Sequence, residues 1–147
     1  MSCIRFSTPA QMRQLRDVAP SMLTREQASA LHPAPAVTGS KIRRLRQLAG
    51  HANPKIRESV ASSPHAPADL LSALAHDVDA SVRGCLARNE HAPVGILRAL
   101  STDRSETVRG WIAVNPRTPC DALDLMGADR SNIVHGLLRW RERHSQA

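Results

Sequence analysis

Apolar residues in this chain fall in short bursts spaced for helices, and the bursts recur. Leu70, Leu71 and Leu74 lie at i, i+1 and i+4, on one helical face. Val82, Cys85 and Leu86 follow at i, i+3 and i+4. The same two-part pattern returns as Ile96, Leu97, Leu100 with Val108, Trp111, Ile112, and again as Leu123, Met126 with Val134, Leu137, Leu138. No window alternates convincingly with period two, so the pattern predicts an all-α protein with almost no strand.

The interval is 26 residues, and four blocks align without a gap: 38–63, 64–89, 90–115 and 116–141. Aligned, they give columns of like residues, such as Leu45, Leu71, Leu97, Leu123 and Ile56, Val82, Val108, Val134. A fixed period of this size is the mark of stacked repeats, and it favours an extended binding surface over an enzyme pocket. Each block reads as two helices. Pro67, Pro93 and Pro119 stand at the first turn of a short helix, where a missing N–H costs nothing. Asn53, Asp79, Ser105 and Ser131 form a column of N-cap residues ahead of the second helix. Asn89 and Asn115 close their blocks, and Asn tolerates the left-handed backbone that ends helices. The three apolar members Val108, Trp111 and Ile112, like Val82, Cys85 and Leu86, read as core, with Cys85 a core thiol.

One block cannot bury both of its apolar stripes, so neighbours must stack and the end blocks must differ. The first block lacks the proline and carries Arg43 and Arg44. The last has His135 in the column of Arg57, Arg83 and Arg109, and Arg139 in the column of Ala61, Ala87 and Ala113.

The pattern Pro-x-x-(Leu/Ile)-Leu-x-x-Leu, then Asp, then Val-Arg-x-x-(Leu/Ile)-Ala-x-Asn resembles the leucine-rich repeat variant family. It is also similar to the wider HEAT/armadillo-like class of α-α superhelices. The match is strongest over His65–Asn115, where Pro-Ala-Asp-Leu-Leu-Ser-Ala-Leu and Ser-Val-Arg-Gly-Cys-Leu-Ala-Arg-Asn stand clean. The resemblance implies a right-handed solenoid of about four two-helix repeats with an N-terminal helical cap. Such motifs are specific for architecture and nearly silent on function; the expectation of a scaffold or adaptor rather than an enzyme comes from the period itself. One member type carries an iron–sulfur cluster on clustered N-terminal cysteines; here only Cys3 lies in that region, so no cofactor is expected.

Residues 1–37 fall outside the period and read as a helical cap or arm. A helix is expected from Thr8-Pro9 to about Ala19, a second from Thr24 to Leu31, and a linker over His32–Ser40. Residues 142–147 read as a tail.

Composition narrows the partner more than the fold. At 147 residues and 41% hydrophobic, the chain suits one folded domain, with no apolar run long enough to span a membrane. The start, Met1-Ser-Cys-Ile-Arg-Phe6, has no secretion-like stretch, and the three scattered cysteines argue against a disulfide scaffold. Cytoplasm is the expected compartment. The net charge of +7 sits in residues 1–63, which hold ten Lys/Arg against three acids. Lys41, Arg43, Arg44 and Arg46, with Arg13, Arg16 and Arg25 upstream, form a candidate patch for duplex nucleic acid or an acidic partner. With no Tyr, one Phe and two Trp, base-stacking readout is not expected.

The arginine column has an acidic counterpart in Asp77, Asp103 and Asp129. Pairing each Arg with the next block's Asp leaves none over, giving Arg57–Asp77, Arg83–Asp103 and Arg109–Asp129. An inter-repeat ladder of charge-assisted bonds is therefore expected. Gly84, Gly110 and Gly136 share a column inside the second helix, where each Gly costs about 1 kcal/mol relative to Ala. Either close helix packing or a smooth concave strip for a partner explains them. His65 and His91 share a column too, but neighbouring helices sit about 8–10 Å apart, a poor start for one metal site. Thr38-Gly-Ser-Lys41 lacks the upstream glycine of a phosphate loop, and no catalytic motif is present. The expected function is non-enzymatic protein binding, with duplex nucleic-acid binding as the alternative and oligomeric state open.

Overall fold

A computed structural model describes residues 37–144, and the chain divides into two units at the Ala36–Val37 junction. The two expected N-terminal helices, most of the expected linker, Cys3, Arg13, Arg16 and Arg25 lie outside the described residues. So does the end of the expected tail, residues 145–147, whereas residues 142–144 are not a tail but continue the last helix to His144.

The described unit is all-helical. Block one holds α1 (Gly39–Ala49) and α2 (Pro54–Ala61), and block two holds α3 (Ala68–Leu74) and α4 (Ala80–Arg88). Block three holds α5 (Val94–Leu100) and α6 (Glu106–Val114), and block four holds α7 (Cys120–Met126) and α8 (Asn132–His144). The closest packing joins second helices, α2 on α4, α4 on α6 and α6 on α8, with each first helix against the second helix of its own block. Among the described residues no helix is long and apolar enough to cross a membrane.

The like-residue columns form the core. Leu71 and Leu97 of the first helices are 1% and 0% exposed, and Val82, Val108 and Val134 of the second helices are all at 0%. Leu86 and Ile112 are equally buried, whereas Ile56, Leu45 and Leu138 in the outer blocks are half-buried. The core is thus sealed in the middle blocks and thinner at both ends of the described unit.

Four local readings need correction. Gly39 and Ser40 are not linker: Thr38 Oγ1 accepts from Lys41 N at 3.3 Å, and this cap starts α1 at Gly39. The prolines occupy the N-cap itself rather than the first turn. Ser105 holds the N-cap position without a side-chain cap bond, while Asn53, Asp79 and Ser131 do accept from N–H groups of the next turn.

The asparagines do not end their helices left-handed. Asn89 has φ −71° and Asn115 φ −68°, both extended. Their side chains are used to hold the preceding block. Asn89 Nδ2 donates to the Ala61 carbonyl at 2.7 Å, and Asn115 Nδ2 to the Ala87 carbonyl at 2.6 Å. Each Oδ1 accepts in return from the N–H two residues on, at 2.8 Å from His91 and 2.9 Å from Arg117. These amides satisfy carbonyls that helix ends leave without partners, inside the core where water cannot. In the fourth block Arg141 takes the same position, its Nη1 donating to the Ala113 and Asn115 carbonyls.

Candidate interaction face

The arginine column is consumed by the architecture. Arg57 Nε donates to Asp77 Oδ2 at 2.7 Å and Nη2 to Oδ1 at 2.9 Å. Arg83 meets Asp103 at 2.7 and 3.0 Å, and Arg109 meets Asp129 at 2.6 and 3.1 Å, in the same two-pronged geometry. The remaining Nη1 turns inward, to the carbonyls of His51, Asp77 and Asp103 in each arginine's own block. The paired Asp Oδ1 also accepts the N–H of Asp79, Ser105 or Ser131. Each guanidinium therefore joins the loop of its own block to the loop of the next. In block one, where no Asp stands, His51 Nδ1 accepts from Asn53 N at 3.0 Å instead.

These contacts move the carboxyls. The Arg57 bond, with the Asp79 N–H, holds Asp77 below the ordinary Asp value, and Arg109 with the Ser131 N–H does the same for Asp129. Burial pushes Asp103 upward, but Arg83 and the Ser105 N–H outweigh it and leave this carboxyl lowered as well.

The basic cluster on α1 divides. Arg46 Nη2 donates to Asp69 at 2.8 Å, so it is committed to the second block and is not a spare cation. A like pair joins Arg98 to Asp121. Lys41, Arg43 and Arg44 are exposed and form no ion pair among the described residues.

The glycine column is not an open strip. Gly84 and Gly110 are buried, and a methyl added to them would lie 3.6 Å from Trp111 Cδ1 and 3.2 Å from Leu137 Cδ1, side chains of the following block. Gly136 has nothing within 4 Å. The first two glycines thus seat a large neighbour. No group of three metal-ligating side chains occurs among the described residues.

A second stripe on α2, α4, α6 and α8, unremarked in the sequence, faces outward. It runs through Lys55, Ser59, Ser62; then Ser81, Cys85, Arg88; then Thr107, Trp111, Val114; then Ile133, Leu137, Trp140. Its chemistry changes steadily from polar to apolar. Trp111 is therefore not a core residue, being 38% exposed, whereas Cys85 is half-buried and packs against the edge of the core. Between α6 and α8 the stripe opens into a cleft of about 280 Å³ lined by Thr107, Gly110, Trp111, Val114, Ile133 and Leu137. Ile133 and Trp140 remain 63% and 47% exposed. The Arg88 guanidinium lies over the Trp111 ring, 4.4 Å from its centre. An exposed apolar patch beside a Trp and an Arg has the make-up of the residues that dominate protein interfaces.

No family model, curated protein or solved structure matches the chain. The described residues define its class, an all-helical unit of paired helices.

Proposed function

We propose that this protein is a non-enzymatic helical-repeat adaptor of the cytoplasm, a right-handed α-α solenoid akin to leucine-rich repeat variant and HEAT/armadillo-like proteins. It binds another protein along the outward stripe of the second helices. The observation that carries this reading is the apolar cleft between α6 and α8 with both tryptophans of the chain on its stripe. Its support lies in energetics. Leaving Trp111, Ile133 and Trp140 in water forgoes the burial free energy that folding normally secures, roughly 25 cal/mol per Å² of apolar surface. A partner recovers it. The unpaired thiols Cys85 and Cys120 suit a reducing compartment.

Photoreactive side chains placed at Ser59 or Thr107, on the stripe, and at Ser72 or Ala99, exposed on first helices, test the assignment in cells. Nuclease-resistant protein adducts are expected from the first pair of positions and not from the second. Equal yields from both, or adducts that vanish with nuclease, overturn the reading.

The exposed Lys41, Arg43 and Arg44 favour one alternative, duplex nucleic-acid binding by backbone contact. Its signature is a gel shift that weakens steeply with salt and disappears in the Arg43→Ala/Arg44→Ala variant.

A further inference from the structure

We infer that the α6–α8 cleft takes a bulky apolar side chain from an acidic peptide segment, whose carboxylate is held by Arg88; this rests on the protein-binding reading above. Size limits the occupant first. At about 280 Å³ the cleft falls just short of pockets that enclose a drug-sized molecule, ~300–1,000 Å³, and suits a large side chain such as Leu, Met or Phe.

Charge then sets the flank. Arg46, Arg57, Arg83, Arg98 and Arg109 each hold a carboxylate of the next block, whereas Arg88 has no carboxylate partner among the described residues. It is kept against the wall of the cleft by stacking on Trp111, which fixes its position and leaves its N–H groups to an incoming anion. On its other side lies a polar pocket of about 340 Å³ that includes His91 and Glu90. Arg117 reaches that rim, its Nη1 donating to the Glu90 carbonyl at 3.1 Å.

The one charged group in the cleft's lining is Glu106, whose carboxylate already accepts the Ser131 hydroxyl. Arg88 is not part of the cleft's lining but stacks on Trp111, which is, so the cation stands beside the apolar cleft rather than within it. A bound peptide places its acidic residue towards Arg88, within about four positions of the apolar anchor, the reach of one helical turn.

Selection of a random-peptide library on the full-length protein tests this directly. Enriched peptides are expected to share a bulky apolar residue with Asp or Glu within one turn of it. Trp111 and Trp140 are the only tryptophans, so their emission reports binding of a selected peptide. Arg88→Glu is expected to weaken that peptide roughly tenfold or more, the loss of one charge-assisted pair, and to switch a fresh selection to Lys or Arg. Thr107→Trp, filling the cleft from an exposed position, abolishes binding with the circular dichroism unchanged. Peptides without acidic preference, peptides indifferent to both variants, or no enrichment overturn the inference. So does a dimer in ultracentrifugation that Thr107→Trp dissociates, since a second copy then fills the cleft. Stripe-specific cross-links to a protein partner would still uphold the wider reading in each of those cases.

Discussion

Asp103→Ala is expected to lower folding stability by about 3 kcal/mol, read as a fall in the urea midpoint with an unchanged slope. The two side chains of the Arg83–Asp103 pair are 5% and 7% exposed, so deleting the carboxylate strands a guanidinium where water cannot reach it. The value sits at the low end for a broken buried pair because Arg83 Nη1 keeps the Asp77 carbonyl. Arg83→Met/Asp103→Leu is expected to cost less than Asp103→Ala, since it removes both charges and refills the space with apolar atoms. The ladder also sets a pH response. Asp77, Asp103 and Asp129 all titrate below the ordinary Asp value of about 3.9. Their folded pKa is lower than their unfolded one, so the stability they contribute is complete above about pH 5. It is lost as the pH falls through the folded values, while the guanidinium groups stay charged. A urea midpoint that is level from pH 7 to 5 and then declines is expected, with a shallower decline in Asp103→Asn.

Leu86→Ala and Ile112→Ala are each expected to cost about 2–5 kcal/mol, against a smaller loss for Leu138→Ala. The three share one column, but Leu86 and Ile112 are fully buried between second helices on both sides, and Leu138 is half-buried on α8. The difference follows from how far the surroundings can close on the void. A middle helix is held by ladder arginines and asparagine amides from both neighbours, so it cannot relax into the cavity. Equal losses at all three positions in chemical denaturation contradict this account of packing.

What the sequence disclosed tracks how uniform a column is. Columns that stay apolar through the blocks, such as Val82, Val108, Val134, became core because a stacked interior demands the same chemistry at every level. The arginine pairing could be read by counting complete pairs, and the structure places those groups within 3.1 Å. The outward stripe was hidden in the i, i+3, i+4 spacing, which cannot tell Val108 from Trp111. Its clue was heterogeneity, since a column running Ser59, Cys85, Trp111, Leu137 cannot all face one core. The asparagines misled because a helix-ending Asn has two uses, a left-handed backbone or a side-chain amide, and spacing does not separate them. Arg46–Asp69 and Arg98–Asp121 form no column, because the positions between them hold Ser72 in block two and Gly95 in block three, which cannot make an ion pair.

Hydrogen exchange of the full-length protein with and without the partner recovered by cross-linking tests the central claim most directly. Slowed exchange confined to α4, α6 and α8, greatest around Thr107–Val114 and Ile133–Trp140, is the result predicted here. Protection confined to the exposed sides of α3, α5 and α7, or to α1 around Lys41–Arg44, would contradict it.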